Sequence, residues 1–204
     1  MIAIRDRSLV RIGTNQVSAT QLFGLMQAGS DHFHPSVSRM FLKARQLASN
    51  AVSENAETSL VVSALLFYPC QALATGILTA GNWTSDSLLK TGTYDWLEEN
   101  FGEEVAETIR LQPLAKRFLA TVVPRYFSKL DSECQQFVFL EGGFMTSFET
   151  TAFSEHRCHF NSMKIARWLD QGVNRCLEIP ELDFFKPFIE RALDSIHGGV
   201  ARSV

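Results

Sequence analysis

The stretch that decides the fold is Glu57–Tyr68, with the sequence ETSLVVSALLFY. Apolar residues occupy nearly every position of its second half, which is typical of a helix buried in the centre of a bundle. Val61 and Val62 would also fit a buried strand, because periodicity alone does not separate the two structures in a short apolar run. The neighbouring segments favour the helix, which we expect to end by Tyr68, before Pro69.

Helical patterns flank this stretch on both sides. Val37–Ala51 repeats apolar residues at helical spacing after a start at Pro35. Capping patterns at Ser128–Asp131 and Thr146–Glu149 indicate two further helix starts. Other helices are expected at 94–100, 103–111, 115–122, about 161–171 and 184–196. Because no alternating strand pattern of useful length occurs, the sequence predicts an all-α, irregular helical bundle, as one domain over 1–204 with residues 1–34 as a lead-in helix and loop.

The composition argues against several classes of function. The chain has 204 residues, 46% of them hydrophobic, and a net charge of −3 from 19 basic and 22 acidic residues. Such a balance attracts neither nucleic acid nor an anionic membrane, and no apolar segment approaches the roughly 20 residues that span a bilayer. A basic start followed by an apolar run is missing, so we predict a cytoplasmic address and reduced thiols for the four cysteines.

Three short pieces of sequence carry a resemblance to a known family. They are Tyr94–Leu97 with Phe101-Gly102, Leu111–Leu119, and Leu140–Met145 leading to Arg167–Asp170. Through them, residues from about 35 to 193 resemble the HD-domain family. Within it they resemble the mixed-valence diiron oxygenases that cleave phosphonates, and their phosphohydrolase-like relatives. The resemblance implies a helical bundle of the HD-domain type.

The same resemblance implies where metal ligands would lie. The His-Asp pair that names the family falls on Phe67 and Tyr68, and Asp170 alone remains from the metal set. The other ligand positions fall on Met40, Leu89 and Gln112. Apolar side chains offer no lone pair to a hard cation, and an amide is a weak ligand compared with imidazole. One carboxylate cannot hold two metals, so we predict neither a metal nor another cofactor at this place.

Two basic residues carry the prediction of a ligand. Lys116 and Arg167 stand where the phosphonate oxygenases place basic residues against their anionic substrate. An ammonium and a guanidinium suit the oxygens of phosphonate, phosphate or carboxylate, so the two residues are a candidate anion site. The alternative is a structural ion pair with Asp170 or Glu141.

Two further groups are weaker candidates for chemistry. Cys70 follows the position of the lost His-Asp pair and could be a nucleophile if a nearby cation lowered its pKa, or a small buried apolar residue. His156 and His159 could hold a soft divalent ion if other residues supplied donors, or could be ordinary surface histidines.

The residues and the resemblance together lead to the hypothesis of a degenerate HD-domain protein. Such a pseudoenzyme would bind a small anion or act as an accessory or regulatory protein, and it could pair with a second copy or with another HD-domain protein. The alternative hypothesis is an HD-family oxygenase or phosphohydrolase-like enzyme with a rebuilt or metal-free site.

Overall fold

The computed structural model describes residues 24, 26–27, 35–74, 92–171 and 178–200. Within these ranges the regular structure is helical and no strand occurs. The predicted all-α bundle, consistent with an HD-domain fold, is therefore confirmed. Its interpretation as one domain stays a prediction.

The helices are short apart from the first two and the last. In chain order they are α1 (Pro35–Ser53), α2 (Thr58–Ala74), α3 (Gly92–Phe101), α4 (Glu103–Arg110), α5 (Gln112–Val122), α6 (Tyr126–Lys129), α7 (Ser132–Leu140), α8 (Ser147–Glu155), α9 (His159–Asp170) and α10 (Lys186–Val200). A 3₁₀ turn at Leu182–Phe185 precedes α10. None of the helices in the described ranges is both long and apolar enough to cross a bilayer.

Helix α2 lies at the centre of the main core. Every residue from Leu60 to Phe67 is buried, and the helix packs against α1, α3, α4 and α10. A helix surrounded by others has no solvent-facing stripe, which explains why its sequence is apolar all round. The helical interpretation of this stretch is confirmed and the strand alternative is wrong.

The expected end of this helix before Pro69 is wrong. Helix α2 continues to Ala74 with Pro69 inside it. An internal proline removes the bond to the carbonyl four residues earlier, here that of Leu65, and normally breaks a helix. Burial of Leu66, Phe67 and Cys70 on both sides of Pro69 stabilises the continued helix, because each large apolar side chain contributes roughly 1.5 to 3 kcal/mol.

Two helix starts in the second half follow local side-chain chemistry. The predicted capping box is confirmed, since Thr146 and Glu149 each bind the backbone N–H of the other. The predicted cap at Ser128 is wrong, because Ser128 lies inside α6. Asp131 caps α7 instead, accepting the amide of Cys134 at 2.7 Å. Both positions satisfy an N–H that the first turn of a helix leaves free.

Candidate functional site

An ion pair joins two of the predicted site residues. Lys116 lies in the middle of α5 and Asp170 is the last residue of α9, and these two helices pack together. The ammonium of Lys116 lies 2.6 Å from Oδ1 of Asp170, and the side chains are 11% and 13% exposed. The structural ion pair that the sequence offered as an alternative is therefore present.

The other carboxylate oxygen of Asp170 is also occupied. The hydroxyl of Tyr126, at the start of α6, donates a hydrogen bond to Oδ2. Burial and this hydrogen bond raise the pKa of the Tyr126 hydroxyl above its ordinary range. Tyr126 therefore remains a neutral donor, and Asp170 has a hydrogen bond on Oδ2 and an ion-pair contact, without a hydrogen bond, on Oδ1.

Lys116 has two more neighbours besides Asp170. Its ammonium donates to Sγ of Cys134 at 3.4 Å and lies 5.8 Å from the ring centroid of Phe137. Burial raises the pKa of the Cys134 thiol, and the nearby ammonium opposes that shift. The lysine is thus surrounded by a carboxylate, a thiol and an aromatic face, each of which attracts a cation.

Tyr68 occupies a position at which the resemblance places the His-Asp pair of the family. Burial raises the pKa of its hydroxyl, and so do nearby Cys134 and Asp170. Tyr68 also lines a cleft together with Trp168 and Leu169, which directly precede Asp170 on α9, and it stands where the resemblance placed a metal ligand. We call Lys116, Asp170, Tyr126, Cys134 and Tyr68 the Lys116 cluster.

The other positions at which the resemblance implies metal ligands lie in different parts of the structure. Phe67 is buried in the main core. Gln112 is buried at the start of α5, where its amide nitrogen donates to the carbonyl of Ser162 at 2.8 Å. Met40 is partly exposed and is not among the residues of the main core. Leu89 lies outside the described residues.

The residues that the structure describes at these positions offer fewer donors than a pair of metal ions needs. Iron and related metals need several oxygen or nitrogen donors that converge on each ion. Across the part of the chain that the structure describes, no group of three or more His, Cys, Asp or Glu side chains comes together in this way. Asp170 is the one carboxylate at the resembled ligand positions, and its oxygens already face Lys116 and Tyr126.

Arg167 lies on the solvent side of the cluster. It is exposed, one helical turn before Asp170 on α9. Burial and Asp170 raise the pKa of Tyr126, and the positive charge of Arg167 opposes that shift. Anion binding by Lys116 and Arg167 stays a prediction.

Tyr68 also lines a narrow cleft. The cleft lies between α1, α2 and α9, and Lys43, Leu47, Tyr68, Trp168 and Leu169 are among its lining residues. The ammonium of Lys43 lies 5.6 Å from the centroid of the Tyr68 ring, within the range of a cation–π contact. The cleft brings a second positive charge to the neighbourhood of the cluster.

Cys70 is a core residue. It is buried, and burial raises the pKa of its thiol to about 12. At neutral pH this thiol stays protonated, and a thiol attacks electrophiles far more slowly than a thiolate. The structure therefore favours the small buried apolar residue over the nucleophile.

His156 and His159 have separate partners. Nε2 of His156 lies 3.5 Å from Glu107, and its Nδ1 accepts the amide of Cys158 at 3.1 Å. Nδ1 of His159 lies 2.6 Å from the carbonyl of His156, and its ring stacks on Phe160. The two rings bind protein groups in this arrangement, and within the described ranges no third His, Cys, Asp or Glu joins them as a metal donor.

Sequence reasoning missed two members of the cluster. Tyr126 reaches Asp170 across 44 residues and Cys134 reaches Lys116 across 18. Neither residue belongs to a motif, and contacts at such separations leave no local pattern in a single sequence.

Comparison with known proteins supports the relationship to oxygenases. No protein-family model matches the chain. A hydroxymethylphosphonate dioxygenase of Gimesia maris is 28% identical across 86% of this chain and 88% of its own length. A [1-hydroxy-2-(trimethylamino)ethyl]phosphonate dioxygenase (glycine-betaine-forming) of Leisingera caerulea is 28% identical across 56% of this chain and 59% of its own length. These relatives favour the alternative hypothesis of an HD-family oxygenase over the pseudoenzyme; the loss of the metal motif stays a prediction.

Proposed function

We propose that this chain is a relative of the phosphonate dioxygenases in which an internal ion pair replaces the metal of the HD-type site. In this proposal it binds a small phosphonate-like anion, in an accessory or regulatory role, without HD-type metal catalysis. The observation that carries the proposal is the environment of Asp170, whose two oxygens face the Lys116 ammonium at 2.6 Å and the Tyr126 hydroxyl.

Lys116 gives Asp170 the positive charge that a metal would otherwise supply. A carboxylate that is 13% exposed needs such a partner, because burial penalises its ionised form. A divalent ion about 4 Å from the ammonium would be repelled by roughly 8 kcal/mol at an effective dielectric constant of about 20. Metal binding at Asp170 would therefore require the Lys116 side chain to move away.

The ligand class follows from Arg167 and from the names of the relatives. Arg167 is exposed beside the cluster, and a planar guanidinium can bind two oxygens of one phosphonate, phosphate or carboxylate group. Both relatives are named for phosphonates. We infer that Arg167 makes the first contact with such an anion and that Lys116, although paired with Asp170, adds positive charge behind it.

The proposal is tested first by metal content and oxygen consumption. The protein is purified without chelators, and iron, manganese and zinc are measured by mass spectrometry. We expect each metal well below one ion per chain, and no oxygen uptake with hydroxymethylphosphonate and ferrous iron. Near-stoichiometric metal that disappears in Asp170→Asn would contradict the exchange of metal for an ion pair.

The anion part is tested separately by thermal unfolding with methylphosphonate. A ligand at 100 times its dissociation constant stabilises the folded state by about 2.7 kcal/mol, or roughly 5 to 10 °C for a chain of this size. Arg167→Ala should abolish this shift. Lys186→Ala, which removes another exposed cation at the start of α10, should leave it unchanged. Equal shifts in wild type and Arg167→Ala would rule out this role for Arg167.

A second candidate is an HD-family oxygenase with a rebuilt site, which the names of the relatives favour. Its metal ligands would have to include residues outside the described ranges, where the chain offers His32, His34 and Asp86 among others. This candidate requires oxygen uptake that depends on both iron and a phosphonate, so the same assay distinguishes the two functions.

A further inference from the structure

Three phenylalanines form an aromatic cluster at the surface, where α6, α7 and the turn before α8 meet. The ring centroid of Phe127 lies 5.5 Å from that of Phe139 and 5.0 Å from that of Phe144, and Phe139 and Phe144 are 6.1 Å apart. All three contacts are edge-to-face, the geometry that aromatic rings favour. Phe139 and Phe144 are nevertheless 59% and 49% exposed. We call these three residues the Phe139 patch.

More apolar surface flanks the Phe139 patch along the chain. Leu140 is 69% exposed and Phe148 is 83% exposed. With about 200 Å² for a fully exposed aromatic side chain, Phe139 and Phe144 present roughly 200 Å² within the patch, and Phe148 in the first turn of α8 exposes roughly 170 Å² more. Several large exposed apolar side chains close together along the chain often mark an interaction site.

A buried arginine fixes the turn that presents the patch. Gly142 and Gly143 have φ values of 108° and 74°, a backbone conformation that other residues rarely adopt. Arg117 is buried beneath them and donates to the carbonyl of Gly143 at 2.9 Å and to Glu149 at 2.7 Å. A surface that is already ordered loses little conformational entropy when a partner binds.

The charges beside the patch have both signs. Arg125 and Lys129 flank Phe127 and are exposed, and exposed Glu133 lies in the first turn of α7. The ion pairs found among the described residues involve none of these three. A two-fold interface brings the same surface from both copies together, so a surface that carries both charges can complement itself.

We infer that the Phe139 patch is the contact between two copies of this chain. An interface of standard size takes about 800 Å² from each partner, of which Phe139 and Phe144 supply about a quarter as an apolar centre and Phe148 about a fifth more. The surrounding polar residues, including Arg125, Lys129 and Glu133, supply the rim that such interfaces carry. The pairing does not depend on the metal or on the anion, because none of these residues belongs to the Lys116 cluster.

Sedimentation velocity tests this pairing. Over about 1 to 200 µM, the range in which weak dimers dissociate, wild type should shift from one chain to twice its mass. Phe139→Ser/Phe144→Ser should raise the dissociation constant at least tenfold, because central aromatic residues dominate interface energetics. Phe160→Ser removes a ring that is 66% exposed outside the patch and should leave the constant unchanged.

Charge reversal provides a test that leaves the aromatic rings in place. Lys129→Glu should weaken the dimer, and adding Glu133→Lys to the same chain should restore it, since each copy supplies both partners. Far-UV circular dichroism checks that every variant is folded. The inference is overturned by a chain that stays monomeric over the whole range, by a dimer that Phe139→Ser/Phe144→Ser leaves intact, or by a dimer indifferent to Lys129→Glu.

Discussion

Replacing Lys116 by methionine tests whether its ammonium holds Asp170 in the folded chain. Methionine has a similar length and no charge, so it can keep the packing against Phe137. It loses the contacts to Asp170 at 2.6 Å and to Cys134 at 3.4 Å. Asp170 would keep its hydrogen bond from Tyr126 but would lack a counter-charge on its other oxygen.

The expected cost follows from the burial of the pair. Removing one partner of a buried ion pair costs about 3 to 5 kcal/mol. The side chains here are 11% and 13% exposed and Tyr126 stays in place, so we expect the lower end, about 3 kcal/mol. For a chain of this size that is a decrease of roughly 6 to 12 °C in the melting temperature.

Urea unfolding followed by far-UV circular dichroism measures this free energy. Lys164→Met is the matched control, because that ammonium pairs with Glu54 at 3.3 Å where both side chains are more than 40% exposed. It should cost at most about 1 kcal/mol. The double variant Lys116→Met/Asp170→Asn leaves no unpaired carboxylate. We therefore expect its loss of unfolding free energy to be about 2 kcal/mol smaller than the sum of the losses in the two single variants. Equal losses in Lys116→Met and Lys164→Met, or strict additivity in the double variant, would refute the reasoning.

Three further predictions concern other parts of the chain. Hydrogen bonds from the amide of Thr146 and from Arg117 lower the pKa of the Glu149 carboxyl from its ordinary 4.5 to about 2. The ionised carboxylate therefore stabilises the folded protein fully above pH 4.5, and this contribution is lost as the pH falls toward 2. Unfolding titrations should therefore find Glu149→Gln less stable than wild type at neutral pH, with a difference that closes near pH 2; a constant difference would contradict this. Burial raises the pKa of the Cys70 thiol to about 12, so iodoacetamide at mildly alkaline pH should modify this residue only when urea unfolds the protein. Peptide mass spectrometry measures the modification, and modified Cys70 in the native protein would refute the prediction. Gly142→Ala should lower the free energy of unfolding in urea by about 1 to 3 kcal/mol, because φ at this position is +108° and the new Cβ would lie 3.4 Å from Cζ of Arg117. An unchanged free energy of unfolding would mean that the turn relaxes to accept the side chain.

The fold could be predicted where the decisive signal is local. Leu60–Phe67 is apolar apart from Ser63, and such a helical segment is stable only when other helices cover it. The capping box of Thr146 and Glu149 was predictable for the same reason, since both partners lie within one helical turn. The end of α2 was not, because the packing of Leu66, Phe67 and Cys70 outweighs the hydrogen bond that Pro69 removes.

The candidate site was predicted only in part. The resemblance indicated Lys116 and Asp170, and their pairing was one of two alternatives that the residues left open. Tyr126 and Cys134 complete the cluster through contacts between distant parts of the chain, which no spacing rule reveals. The exposure of Arg167 also depends on how α9 packs, and a sequence alone does not fix that.

Calorimetric titration of the chelator-treated protein with Mn²⁺ tests the central claim most directly. Mn²⁺ accepts carboxylate, imidazole and water ligands, so it would bind a rebuilt HD-type site as well as a retained one. We predict no saturable heat for wild type and none for Asp170→Asn, because the Lys116 ammonium already neutralises the carboxylate. Saturable, near-stoichiometric binding to wild type that is lost in Asp170→Asn would contradict the claim that an ion pair has replaced the metal.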